Sequence, residues 1–237
     1  MAFSSFADRL PDPNYKITEA GENSASGVAG PGFASVKFSS EQPVSISRTN
    51  SGRVITRSIV AQHWVIDITY NPMTRNEFEP VYNFLMEKRG RLKPFFVVLP
   101  QYSSPRTSTS GTISVSGSIT SGDTNFLING MDSVTGGLRP GDMFNFSDSS
   151  NSNHKKIYQI VRVADSTNKL STDSALDSTD ERRLYVVPPI EKDVTSGSTI
   201  IYTNPTFRVI QRSDVQEYSL GTNNLYQFSL QLEEAQP

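Results

Sequence analysis

The residues of this chain that could carry out acid–base or metal chemistry are few and scattered. Its 237 residues include two histidines, His63 and His154, and no cysteine. A thiolate nucleophile, a disulfide framework and a zinc site with cysteine ligands are therefore excluded, and a multi-histidine metal site within one chain is not expected. Ser152 and Lys155 have the Ser-x-x-Lys spacing of a nucleophile and its base. Their polar surroundings predict a loop, in which the lysine is solvated and protonated.

Oxygen ligands for a cation cluster in one loop, which holds Asp148, Asn151 and Asn153 next to His154. The loop lacks the alternating spacing and the terminal glutamate of an EF-hand, so a solvated loop is the preferred interpretation. No GxSxG elbow, Walker loop, HExxH or GxGxxG motif occurs. The paired carboxylates of a glycosidase need not be close in sequence, but no pair stands out. We therefore predict that the protein is not an enzyme and has no catalytic residues, metal or cofactor.

One cluster of charge could form an interface. It places four cations within six residues: Lys88, Arg89, Arg91 and Lys93. Either this is the solvated end of a helix, or it is a basic rim that faces an acidic neighbour or a channel carrying DNA. Arg53 and Arg57 alternate along a predicted strand, and arginine is enriched at protein interfaces. These six residues are the candidate interface.

Composition excludes several classes of protein. The chain has 22 basic and 24 acidic residues, a net charge of −2, which excludes a nucleic-acid binder that depends on bulk electrostatics. Aromatic residues make up 10%, too many for a disordered chain. No apolar run approaches the length of a membrane helix, and Asp8 and Arg9 lie where a signal peptide needs its apolar core. We expect a soluble protein that contacts no membrane.

A single helix is predicted after residue 74. Thr74 and Glu77 have the spacing of a capping box, and Gly90 is a typical helix stop. The apolar stripe at i, i+3, i+4 and i+7 consists of Phe78, Val81, Tyr82 and Leu85. Pro80 lies beyond the first turn, so the helix is expected to start late or to bend there.

Alternating strand patterns surround this helix. They cover residues 43–48, 53–60, 63–70, 206–212 and 225–233, and an apolar run covers 95–99. Asn50, Ser51 and Gly52 predict a hairpin turn between the first two strands. Residues 1–35 are punctuated by proline and glycine, which indicates either a loose terminus or an arm that clasps a partner.

Composition changes at residue 103, since 13 of the 22 residues from Ser103 to Thr124 are serine or threonine. Six short strands follow without a helix, which is typical of a small β-barrel or sandwich. They are predicted at residues 112–115, 126–129, 142–146, 156–163, 184–187 and 199–202. Because the C-terminal strands resemble the pattern of 64–70, we predict a discontinuous domain, 1–105 with 205–237, and an inserted domain, 106–204.

The segment from Trp64 to Tyr102 resembles tail proteins of long-tailed bacteriophages, specifically the distal tail or tail-hub minor tail proteins. The shared pattern is a strand ending in tyrosine, then Pro-x-Thr-Arg-x-Glu-Phe at a helix start, Gly-Arg at its end, and a strand from Pro-Phe to Leu-Pro. The inserted domain adds the runs LRPGD (138–142), KIYQI (156–160) and VPPI (187–190), and the last strand ends in Glu-Glu-Ala.

The resemblance implies a tail-tube-like antiparallel β-sandwich with one α-helix, plus the inserted small β-barrel. It implies a structural virion protein of the phage tail tip, assembled in the host cytoplasm. Its expected partners are further copies in a hexameric ring, the tail tube protein and tail hub or fibre proteins, with DNA only as transient cargo in the lumen. The alternative is a carbohydrate-binding, adhesin-like module, because loops rich in Asn, Asp and Ser suit hydrogen bonding to sugars.

Overall fold

The computed structural model describes residues 8–17, 26–58, 62–171, 173, 176 and 179–235. Within them the chain forms sixteen strands and one α-helix, which confirms the predicted fold class, mainly β with one helix and a small barrel. In chain order the elements are β1 (Lys16–Ile17), β2 (Val28–Ala29), β3 (Phe33–Glu41), β4 (Val44–Arg48), β5 (Val54–Ser58), β6 (His63–Tyr70), α1 (Arg75–Lys88), β7 (Phe95–Val97), β8 (Ser114–Ser116), β9 (Asn125–Asn129), β10 (Met143–Ser147), β11 (Tyr158–Ala164), β12 (Arg182–Val187), β13 (Thr199–Ile201), β14 (Phe207–Gln211), β15 (Tyr218–Leu220) and β16 (Tyr226–Glu234).

The chain divides into two compact units. The first contains the described residues of 1–97 and 208–235, and the second contains those of 98–207. The borders predicted from the sequence, at 105 and 205, separate domains that are expected to fold independently of each other. That partition stays a prediction.

The first unit is built on a sheet with the strand order β3-β6-β16-β14-β7. Its central strand pairs are antiparallel: Ile66 in β6 lies opposite Phe38 in β3 and Leu232 in β16. Helix α1 packs on this sheet, since Phe78 stacks on Tyr226 of β16 at 4.5 Å between ring centroids. The sheet and the helix thus enclose one apolar core.

Helix α1 starts at Arg75 with Thr74 as its N-cap. The Glu77 carboxylate accepts hydrogen bonds from the Thr74 backbone N–H, at 2.9 Å, and from the Thr74 hydroxyl, at 2.8 Å. Of the two expectations for Pro80, the late start is wrong, because these bonds hold the first turn and Pro80 lies inside the helix as a buried residue. The bend stays a prediction. The buried face also includes Phe84, whereas Tyr82 is only half-buried.

The N-terminal residues that the structure describes do not form a loose arm. The Leu10 backbone N–H donates to the Phe96 carbonyl at 2.8 Å, the Phe96 N–H donates to the Asp8 carbonyl at 2.7 Å, and Leu10 is 1% exposed. Strand β1 pairs with β2. The arm interpretation is therefore wrong for residues 8–10, because backbone hydrogen bonds attach them to strand β7. Residues 1–7 and 18–25 lie outside the described residues.

The second unit is a closed six-stranded barrel with the order β10-β11-β12-β9-β8-β13. Inward-facing residues of neighbouring strands lie opposite one another, as Phe144 does with Tyr158 and Phe146 with Ile200. All six strands were predicted from the sequence, with ends that differ by one or two residues. Closure leaves no unpaired sheet edge among these strands.

Candidate functional site

Strands β4 and β5 form a two-stranded ribbon that pairs with no other strand in the described part of the chain. We call residues 44–58 the hairpin. Its register runs from Val44 opposite Ser58 to Arg48 opposite Val54. The turn is closed by the Gly52 N–H, which donates to the Thr49 carbonyl at 2.9 Å, and Gly52 has a φ of +81° that suits glycine. The turn predicted at residues 50–52 is confirmed.

Both faces of the hairpin are exposed. Residues directly opposite in an antiparallel pair share a face, so one face presents three apolar side chains: Val44 (49% exposed), Ile46 (66%) and Val54 (51%). The other face carries Ile55 between the exposed Arg53 and Arg57. An isolated two-stranded ribbon is marginally stable in water. This amphipathic surface is therefore the strongest candidate for an interface in the first unit.

The basic cluster at the end of helix α1 is divided by the fold. The Lys88 side chain is 4% exposed, its Nζ lies 3.0 Å from Asp8 Oδ1, and it lies 5.0 Å from the centre of the Phe84 ring. Lys88 lies one helical turn after Phe84, on the same buried face of the helix. It therefore does not present a free charge to solvent. Its assignment to an exposed rim is corrected.

The other three cations of the cluster are exposed. The Arg91 guanidinium donates from Nε to the Arg212 carbonyl at 2.9 Å and from Nη2 to the same oxygen. Arg91 thus ties the helix exit to the segment after β14. Arg89 and Lys93 have no ion-pair partner in the part of the chain described. Their role at an interface stays a prediction, as does that of Arg91, Arg53 and Arg57.

A second exposed surface lies on residues 213–220, which we call the acidic strap. Its apolar side chains are Val215 (66% exposed), Tyr218 (50%) and Leu220 (54%). Asp214 and Glu217 lie beside them and are exposed. Strand β15, within the strap, pairs only with β16 among the described strands. Sequence patterns alone do not reveal this surface, because its three apolar residues are unevenly spaced and match neither a strand nor a helix pattern.

The histidines do not form a catalytic site. His63 Nε2 lies 3.2 Å from Glu41 Oε2. His154 is 1% exposed, and its Nε2 lies 2.7 Å from the Tyr158 hydroxyl, which also accepts the Glu191 backbone N–H at 2.9 Å. Burial lowers the pKa of His154 to about 4, helped by the nearby Lys192 charge. His154 is thus a neutral, structural residue of the barrel rather than part of a solvated loop.

In the oxygen-rich loop of the barrel, backbone N–H groups already bind the carboxylate that could have served as a cation ligand. The Asp148 carboxylate accepts the backbone N–H groups of Ser150, at 2.8 Å, and Thr195, at 2.9 Å. Within the described residues, no group of three or more acidic or histidine side chains is arranged to hold a metal. Ser152 and Lys155 line a cavity of about 410 Å³ whose walls are mostly serine and threonine, and no histidine lies in that lining.

A charged cluster on the barrel was not found from the sequence. The Arg162 guanidinium donates to both oxygens of Asp173, at 3.0 and 3.1 Å, and lies 3.6 Å over the Tyr185 ring. The Tyr185 hydroxyl also donates to Asp173. These bonds, led by the one from Arg162, hold the pKa of the Asp173 carboxyl well below its usual range. The three groups satisfy one another, so the cluster fastens a loop and is not a site.

Comparison with known proteins identifies relatives of the chain. Residues 10–102 match the family described as distal tail protein pb9, A domain, N-terminal. Distal tail protein pb9 of Escherichia phage T5 is 29% identical over 160 residues, which cover 68% of this chain and 71% of the phage protein. The matched residues 10–102 include the hairpin and helix α1. No helix among the described residues has the length and apolarity needed to cross a membrane.

Proposed function

We propose that the chain, which is similar to a distal tail protein of a bacteriophage, is a structural protein of the phage tail and forms a hexameric ring at the tail tip. The ring joins the tail tube to the hub or to the receptor-binding apparatus. It surrounds the channel through which the DNA leaves, and it is assembled in the host cytoplasm.

The observation that carries this proposal is the hairpin, which is exposed on both faces although it carries Val44, Ile46, Val54 and Ile55. Scattered exposed apolar residues are common on monomers, but four on one unsupported ribbon indicate a surface that another chain covers. A ring requires a heterologous interface, in which one surface of each copy meets a different surface of the next. The hairpin supplies one such surface.

The charge of the chain suits DNA as transient cargo rather than as a ligand. Because the net charge is −2, the protein as a whole has no electrostatic attraction for phosphates. Lys88 is buried, so the exposed cations of the predicted basic rim are Arg89, Arg91 and Lys93.

No specific observation on the described residues favours the carbohydrate-binding alternative. Sugar sites commonly use an exposed aromatic face, and Trp64, the one tryptophan of the sequence, is 3% exposed. The hydroxyl-lined cavity beside Ser152 has no aromatic residue in its lining. Binding of the purified protein to a glycan array is the result that would favour this alternative.

The mass of the purified protein in solution tests the proposal. Light scattering over a range of concentrations is expected to show a species with the mass of a hexamer of the 26.2 kDa chain. Addition of the tail tube protein is expected to increase this mass further. A strictly monomeric species at high concentration, both alone and with the tail tube protein, contradicts the ring.

A further inference from the structure

Two exposed surfaces of the first unit carry opposite charge. Residues 43–58, which include the hairpin, contain three arginines and no acidic residue. The acidic strap, residues 213–220, contains Asp214 and Glu217 and no basic residue. Both surfaces are exposed to solvent in the single chain. Opposite charges on two surfaces steer association and disfavour contact of either surface with itself.

The same two surfaces are also apolar. Ile55, on the hairpin face that carries Arg53 and Arg57, is 51% exposed, and on the strap Val215 is 66% and Tyr218 50% exposed. Tyr218 is rigidly placed, since its ring lies 5.0 Å from Phe78 and 5.7 Å from Tyr226. A fixed, half-exposed tyrosine among aliphatic residues is typical of the centre of a protein interface.

Backbone geometry allows the two surfaces to meet. Strand β15 of the strap pairs with β16 and with no other described strand, and the hairpin strands pair only with each other. Each surface therefore has an unpaired strand edge that can accept another strand by β-addition.

We propose that the hairpin of one copy packs against the acidic strap of the next copy, with Arg53 and Arg57 facing Asp214 and Glu217. This inference rests on the proposed function, because it assumes that copies of the chain associate in a ring. A second copy is the occupant that the charges select, since each surface finds its complement on the same polypeptide. A head-to-tail contact of this kind uses the arginine-bearing face of the hairpin and the strap of every copy once the ring closes.

Charge reversal tests the pairing. Arg57→Glu alone and Glu217→Arg alone are each expected to weaken association at least about tenfold, because like charges then face each other. The double variant Arg57→Glu with Glu217→Arg is expected to recover most of this loss. Arg139→Glu, at an exposed arginine of the barrel unit, makes the same change in net charge as Arg57→Glu and is expected to leave association unchanged. Circular dichroism verifies that each variant is folded.

Disulfide trapping locates the contact, because the natural chain has no cysteine. Ile55→Cys, on the same face as Arg53 and Arg57, and Ser219→Cys proteins are mixed and oxidised, and a mixed disulfide dimer is expected. Ser196→Cys, at an exposed position of the barrel unit, replaces Ser219→Cys in the control and is expected to give no mixed dimer.

The outcomes separate this inference from the proposed function. If the natural protein assembles but the single charge reversals associate normally and no mixed dimer forms, the inference is overturned and the ring is not. Disulfides between two hairpins would likewise overturn it in favour of a symmetric contact. If the natural protein is monomeric under all conditions, the proposed function fails and the inference fails with it.

Discussion

Lys88 Nζ lies 3.0 Å from Asp8 Oδ1, across 80 residues of sequence, and joins the end of helix α1 to the N-terminal segment. The two side chains differ in exposure: that of Lys88 is 4% exposed and that of Asp8 is 77% exposed. The aliphatic stem of the lysine is therefore buried while its ammonium reaches the edge of the unit. Lys88 serves the fold, whereas the basic residues next to it are exposed.

Replacing Lys88 is expected to destabilise the first unit. Lys88→Ala removes the buried stem, the contact with the Phe84 ring and the ion pair with Asp8, and we expect a loss of about 1–3 kcal/mol in the free energy of unfolding. Lys93→Ala, at an exposed lysine of the same cluster, is expected to change it by less than about 0.5 kcal/mol. Urea denaturation measures both. Equal effects of the two substitutions would show that Lys88 is not a core residue.

Gly30 tests whether the N-terminal segment is docked. A Cβ at Gly30 meets the backbone of Pro11 and Asp12, whereas a Cβ at Gly32 has no neighbour closer than 3.8 Å. We expect Gly30→Ala to cost about 1–3 kcal/mol, because the segment must move, and Gly32→Ala to stay within about 0.5 kcal/mol. Thermal unfolding of the two variants distinguishes them. A neutral Gly30→Ala would indicate that this segment is not held against residue 30.

His154 makes the stability of the barrel depend on pH. Its pKa is lowered to about 4 in the folded state, whereas an unfolded histidine has a pKa near 6.5. Between these values the unfolded chain binds more protons, so stability is complete above about pH 6.5 and falls as the pH approaches 4, by at most about 3 kcal/mol. Urea denaturation across this range is expected to show that the free energy of unfolding of His154→Gln depends less on pH than that of the natural protein. An unchanged pH dependence would assign the effect to other groups.

The inserted domain is predicted to fold alone. The Asn204 backbone N–H donates to the Ser103 carbonyl at 2.8 Å, so the two ends of the insert are adjacent, and the barrel strands all lie between them. We expect residues 106–204, expressed separately, to unfold cooperatively with a β-type circular dichroism spectrum. Replacing them by a short Gly/Ser bridge is expected to leave the first unit folded. An unfolded fragment together with a collapsed deletion variant contradicts this partition.

Local sequence patterns sufficed where the determining interactions are local. The barrel strands and helix α1 carry their own periodicity and caps, so their existence could be predicted from a single sequence. The burial of Lys88 depends on Phe84 and on Asp8, and the N-terminal segment is held by backbone bonds to Phe96. Such long-range contacts leave no pattern in the neighbouring residues.

The candidate interface was predictable only in part. Arg53 and Arg57 stood out because they alternate along a strand, and the structure places both on an exposed ribbon. The acidic strap has no such periodicity. Its strand β15 pairs with the beginning of β16, and this pairing is not visible in the local sequence. Charge complementarity between two segments more than 150 residues apart becomes visible only when both are known to be exposed.

Negative-stain images of the purified protein test the ring most directly. The account predicts closed particles with six-fold symmetry and a central opening. Class averages without rotational symmetry would contradict it. So would compact particles of the size of one chain, if the tail tube protein also fails to bind under the same conditions.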